Sequence, residues 1–113
     1  RKIHVKGSPS RYRDFTYIDD VVEYFIQSIN SNKSIGKTIN IGTGKKTLVH
    51  QLIKILVSFY DKKIPVKYSG STQGDINGIY ADTNLKEKIF KKIKQTKLHE
   101  GLLRMYKSSI SKN

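Results

Sequence analysis

The segment TINIGTGKKTLVHQLIKIL, residues 38–56, constrains the fold more than any other part of the chain. A short β-branched run meets Gly42 and Gly44, and beyond them Leu48, Leu52, Leu56 and Phe59 recur at helical spacing. This is a strand-to-helix turn, with a strand over TINI, Thr47 as the helix N-cap and an α/β fold as the consequence. A glycine turn before a helix also invites comparison with phosphate cradles. The G-x-x-x-x-G-K-[ST] pattern needs a glycine where Ile39 stands and a hydroxyl where Lys46 stands. The G-x-G-x-x-G pattern needs a third glycine where Thr47 stands. The turn therefore fits neither pattern. Lys45 and Lys46, beside a positive helix end, are expected to face solvent.

The flanks extend the α/β pattern. IHVK at 3–6 alternates as a short strand, a polar turn GSPSR follows, and DFTYI reads as a second strand. Val22, Phe25, Ile26 and Ile29 then mark the apolar face of a helix, opened by a capping-box pair, Asp20 and Glu23. IPVKY predicts another strand, SGSTQGDING a loop, and a short helix starts near Thr83. A tail helix from Thr96 places Leu98, Leu102 and Met105 on one face, and SSISKN frays.

At 113 residues the chain holds one domain at most. Its formal charge of +13 makes nucleic acid, an acidic membrane surface or a phosphorylated small molecule plausible partners, although lysine scattered among isoleucine and asparagine also arises from coding bias. Without cysteine there is no disulfide framework or thiolate metal site, and His4, His50 and His99 lack metal-site spacing, with the last two expected to face solvent. No apolar run approaches the ~20 residues that span a bilayer, and no signal peptide is visible, which suits a cytoplasmic protein. The chain begins with Arg1.

Four blocks in one order carry a resemblance: RDFTYIDDVVEYFI at 13–26, TINIGTGKKTLVHQLIKIL at 38–56, QGDINGIYADTNLKEKIF at 73–90 and TKLHEGL at 96–102. Together they resemble the C-terminal half of NAD-dependent epimerases/dehydratases, the extended short-chain dehydrogenase/reductase family acting on sugar nucleotides, with UDP-glucose 4-epimerases nearest. The resemblance implies the C-terminal portion of that α/β fold: short strands with three to four helices, and the Rossmann core absent. It also implies NAD as cofactor, bound by a missing N-terminal domain that supplies a Tyr-x-x-x-Lys pair. None of the seven tyrosines here has a lysine four residues on, so no catalytic residue is assigned. The expectation is that residues 1–113 are the substrate-binding part of such an enzyme, inactive alone.

The resemblance also implies contacts. Arg13 matches the arginine that grips the nucleotide diphosphate, for which a planar guanidinium is suited. An ion pair with Asp14 or a surface carboxylate is the plain alternative. Asp75 matches the carboxylate that bonds ribose hydroxyls, or else stabilises a turn. His4 and Lys6 match strand positions whose main chain pairs with uracil, or are simply an edge strand. Ile79 matches a position facing the sugar. A UDP-sugar and the missing Rossmann half or a homo-oligomer partner are the implied partners.

The departures matter equally. Thr72 and Gln73 stand where the family has Arg-Pro before Gly-Asp, so a second diphosphate-binding arginine is missing; Arg11 could replace it only if folded inward. FKKIK at 90–94 lacks the glycine and proline of the family's turn, so the short helix is expected to run on. If the Rossmann sheet normally covers both long helices, losing several hundred square ångströms of apolar burial costs on the order of 10 kcal/mol. That rivals a domain's whole stability. The rival function is a small basic module binding nucleic acid: residues 83–113 carry nine Lys and Arg against two Glu, with Phe90 and Tyr106 interleaved. A remnant kept for protein contact is a third reading.

Overall fold

In the computed structural model, which describes residues 2–111, the elements run β1 Ile3–Lys6, β2 Tyr12–Arg13, α1 Ile18–Ile29, a 3-10 turn Asn32–Ser34, β3 Thr47–Leu48, α2 Val49–Val57, β4 Val66–Ser69, α3 Asn84–Ile89 and α4 Leu98–Ile110. Two small sheets result: β1 pairs parallel with β4, and β2 antiparallel with β3. The molecule is a slab of 51 × 35 × 19 Å with a radius of gyration of 16.9 Å. A compact domain of 100 residues has about 13 Å. Among the described residues the buried apolar core is small, namely Tyr24, Phe90 and Leu102.

The expected fold class holds, as do the strand at 3–6, the strand within IPVKY and the helix near Thr83. Several local expectations do not. DFTYI is not a strand: the backbone is unpaired from Asp14 to Tyr17, because Asp14 turns inward as an acceptor, and the pairing falls on Tyr12 and Arg13 instead. Helix α1 therefore starts early, with Tyr17 at its N-cap and no side-chain cap. Asp20 is not a capping residue but is buried, accepting from the Thr96 N–H and hydroxyl, each at 2.8 Å. TINI is not a strand either: its residues take part in no ladder among the described residues.

Thr47 does not cap α2, since it pairs with Arg13 in β3; Leu48 is the N-cap, and its N–H is satisfied by the Gln51 side chain at 3.0 Å. Helix α3 does not run on. It ends at Ile89 because Phe90 turns extended and buries its ring against Tyr24, 5.8 Å between centroids. Gln27 then holds the next peptide from both sides, donating to the Lys91 carbonyl at 3.1 Å and accepting from its N–H at 2.8 Å. Helix α4 begins at Leu98 rather than Thr96 and stays helical to Ile110, past the expected fraying; Lys112 and Asn113 lie outside the described residues.

Helix α1 is built inside out. Its buried residues are Asp20 and Tyr24, while Phe25 is 64% exposed and Ile29 81% exposed, with Ile18, Val22 and Ile26 beside them. Helix α2 instead packs on α4, where Phe59 meets His99 and Tyr106 at 5.2 and 5.6 Å. Both His50 and His99 are exposed, as expected. Among the described residues no helix is long and apolar enough to cross a membrane.

Candidate functional site

The glycine turn does cradle an anion, but an internal one. The Thr43 and Gly44 N–H groups donate to the Asp14 carboxylate at 3.0 and 2.9 Å, joined by the Thr43 hydroxyl and the Ala81 N–H at 3.2 Å. Gly42 is required by proximity: a Cβ there would lie 2.6 Å from the Ala81 Cβ and 2.8 Å from Asp14 Oδ2. Burial alone pushes the Asp14 carboxyl up, and the hydrogen bonds from Thr43, Ala81 and Gly44 outweigh it, so its pKa lies below the ordinary value. Three segments distant in sequence are thus tied at one carboxylate. Lys86, only 3% exposed, reinforces the knot by donating from Nζ to the Gly42 carbonyl at 2.7 Å, with the Tyr24 ring 4.9 Å away.

Beside this knot the chain gathers charge. Arg13 Nη2 lies 2.7 Å from Asp75 Oδ1, and Arg11 Nη1 holds the other carboxylate oxygen. The Arg11 hydrogen bond is the chief reason that the Asp75 carboxyl sits below its ordinary value, with the charges of both arginines adding to it. Arg13 therefore pairs with a surface carboxylate, though with Asp75 rather than Asp14. Arg13, Ile79, Asn40 and Asp82 line one open cavity of about 300 Å³. Lys45 and Lys46 are exposed as expected, and Lys46 lies over the rings of Tyr12 and Tyr80 at 5.0 and 4.8 Å.

His4 and Lys6 lie apart from that cavity, on β1. The Ile3 and Gly7 N–H groups donate to the Pro65 and Ser69 carbonyls at 2.9 and 3.1 Å, so odd-numbered residues bond β4. Strand alternation turns the main-chain groups of His4 and Lys6 to the opposite edge. There the Lys6 carbonyl accepts from Arg11.

No family model matches the chain. A UDP-glucuronate 4-epimerase of Thermodesulfobacterium geofontis is 32% identical over 106 residues, which make up 92% of this chain and 32% of that protein. A solved UDP-N-acetylglucosamine 4-epimerase from Methanobrevibacter ruminantium, in complex with UDP-N-acetylmuramic acid, is 28% identical with a TM-score of 0.89. It covers 99% of this chain and 36% of its own. This chain matches the C-terminal part of the NAD-dependent epimerase/dehydratase family. A Bacillus cereus UDP-glucuronic acid 4-epimerase, solved with UDP-glucuronic acid and NAD, shares the fold at a TM-score of 0.89 and 24% identity, over 100% of this chain and 36% of its own. The chain spans about a third of the length of the curated relatives it matches.

NAD is thus implied for the family, but the residues described here do not fit it. A dinucleotide needs free loop amides for its pyrophosphate. In this chain the amides of the glycine turn are spent on Asp14. Among the described residues no group of His, Asp and Glu is placed to hold a metal ion.

Three features escaped the sequence reading. The role of Asp14 was hidden because its partners are main-chain amides far along the chain. Lys86 is one of the nine Lys and Arg of residues 83–113, and nothing in its spacing sets it apart from the others. Arg11 was named only conditionally, and it does fold inward, its side chain 17% exposed. A signal for Asp14 existed: it is the second residue of one block, while its partners sit in the glycine turn and before Asp82, within the next two.

Proposed function

We propose that this chain is the sugar-nucleotide-binding portion of an NAD-dependent epimerase or dehydratase, that it takes a UDP-sugar, and that it is not active alone. The observation that carries this is the pairing of Asp75 with Arg13, 62 residues away in sequence, where Arg13 itself lines the cavity with Ile79. In this arrangement Arg13 grips the diphosphate, Asp75 takes the ribose hydroxyls, Ile79 faces the sugar, and the outward main-chain edge at His4 and Lys6 reads the base. Hydride chemistry, NAD and the Tyr-x-x-x-Lys pair belong to a Rossmann part that covers the apolar face of α1. The exposed Phe25 and Ile29 and the unpaired TINI segment support that placement. Cytoplasmic residence accompanies this function.

An amide NMR titration with UDP-glucose, with a short DNA duplex as control, tests it. Selective shifts around Arg13 and Asp75 that persist at raised salt and vanish in Arg13→Ala are expected. Broad, salt-sensitive shifts with DNA alone would favour the basic nucleic-acid module instead.

A further inference from the structure

Two guanidiniums close on one carboxylate, and their backing differs from its backing. Arg11 donates from Nη2 to the Lys6 carbonyl and from Nε to the Ser8 carbonyl at 3.3 Å. Its plane lies against Gly7, where a Cβ would sit 2.5 Å from Arg11 Cζ; the φ of +96° also excludes other residues comfortably. Arg13 donates from Nη1 to the Tyr12 and Ile76 carbonyls at 2.8 and 3.3 Å. Each guanidinium is therefore held from behind by main chain and directs its remaining amino group forward. The Asp75 main chain is held, its N–H donating to the Thr72 carbonyl at 3.0 Å while the Ile76 and Asn77 carbonyls accept from Arg13 and Tyr12, but among the described residues its carboxylate bonds nothing except the two arginines. The arginines are the fixed half of the clasp and the carboxylate is the replaceable half.

The charges point the same way. Two guanidiniums facing one carboxylate leave a surplus positive charge, and no other acidic group lies within 4.0 Å of either arginine among the described residues. A diphosphate brings more charge and more acceptor oxygens than a carboxylate, and each arginine fork can donate to it. Resting on the sugar-nucleotide reading, we infer that Arg11 is a second diphosphate-gripping residue and that Asp75 holds the diphosphate's place until the ligand arrives. Thr72 and Gln73 supply no guanidinium at the family's usual position, and Arg11 supplies it from β2's approach instead. Displacement then frees the Asp75 carboxylate to accept from the ribose. Binding and recognition are coupled: the group that reads the sugar ring of the nucleoside is released only by a phosphate ligand.

The clasp makes opposite demands on two ligands. Inorganic pyrophosphate, which has no ribose, competes with Asp75 but gains nothing from its release, so Asp75→Asn should tighten pyrophosphate binding about tenfold. The same change should weaken UDP-glucose relative to pyrophosphate, since a ribose acceptor is lost. Arg11→Ala should weaken pyrophosphate at least tenfold. Arg11→Lys, which keeps the charge and is milder to the fold, should recover only part of the loss because an ammonium lacks the planar fork. Lys62→Ala removes an equal charge from an exposed site and should change nothing.

Calorimetric titration of the full chain and these four variants with pyrophosphate, then with UDP-glucose, is the experiment. Tightening in Asp75→Asn together with weakening in Arg11→Ala and Arg11→Lys supports the clasp. Pyrophosphate that binds neither the wild-type chain nor Asp75→Asn overturns it. So does equal weakening by Arg11→Ala and Lys62→Ala, which would mean diffuse charge attraction. If pyrophosphate follows the expected pattern but UDP-glucose does not bind, the diphosphate clasp stands and the sugar-nucleotide reading falls.

Discussion

Helix α1 turns its apolar face outward, whereas α2 closes its own against α4, and the two lie in one small slab. Amphipathic pattern alone does not separate them: both repeat aliphatic residues at helical spacing. They differ in what else they carry. Helix α1 has a second set of anchors, polar in Asp20 and Gln27 and aromatic in Tyr24, which reach Thr96, Lys91 and Phe90. Among the described residues α2 has no comparable side-chain set: beyond the Val49 and His50 N–H groups, which donate to the Arg11 and Pro9 carbonyls, its apolar side attaches it. A helix with two adhesive faces can serve two bodies. The α2–α4 pair is the part of this chain that closes on itself, and α1 is the part left open.

The sharpest way to break that contrast is at Asp14, which joins the two regions through the glycine turn. Asp14→Ala should destabilise the chain by about 4 kcal/mol, since several donors lose a charged acceptor at once. Thermal or urea melting checks it, and a loss below about 1 kcal/mol would mean that the turn stands by itself. The pH dependence has a definite sign. Asp14 and Asp75 both have folded pKa values below the ordinary 3.8. Each contribution is complete above the unfolded value and disappears as pH falls through the folded one. The melting temperature should therefore hold from neutrality to about pH 4.5 and drop below about pH 4. Asp14→Asn should flatten part of that acid limb.

Leu102→Ala tests the closed half. Leu102 is buried at the heart of α4, and its truncation should cost about 3 kcal/mol. The loss should appear as a lower urea midpoint with the same slope. Gln27→Ala tests the polar anchorage of α1 and should cost about 1 kcal/mol, because its two hydrogen bonds to the Lys91 peptide are exposed.

What the sequence made legible follows from range. The strands at 3–6 and 66–69, the helix after Thr83 and the α2 face are written in local spacing, and they are where expected. The misplacements share a different cause. Asp20 and Thr47 have the chemistry of helix caps, but Asp20 is taken by Thr96, 76 residues on, and Thr47 by its pairing with Arg13. Phe90 ends α3 without glycine or proline because burying its ring on Tyr24 outweighs continuing the helix. In the candidate site, Arg13 and Asp75 were legible through resemblance alone. The inward fold of Arg11 depends on the bare backbone of Gly7, which no spacing rule exposes.

The smallest expected effect is the most telling. Phe25 and Ile29 are large, apolar and mostly exposed, so Phe25→Ser combined with Ile29→Ser should shift the chain's own stability by less than about 0.5 kcal/mol. An ordinary amphipathic helix of the same pattern would lose several times that from two such changes. The paired control is Leu52→Ser with Leu56→Ser on α2, where the same polar swaps remove half-buried contacts and should cost at least about 3 kcal/mol. Side-by-side urea melts decide it. If the α1 pair proves as costly as the α2 pair, then α1 buries its apolar face within this chain or a second copy, and the inside-out helix is wrong. If the α1 pair is neutral, the aliphatic face contributes nothing to this chain's own folding. Its regular spacing over Val22, Phe25, Ile26 and Ile29 is then accounted for only by a surface outside these residues, as the proposed Rossmann part would provide.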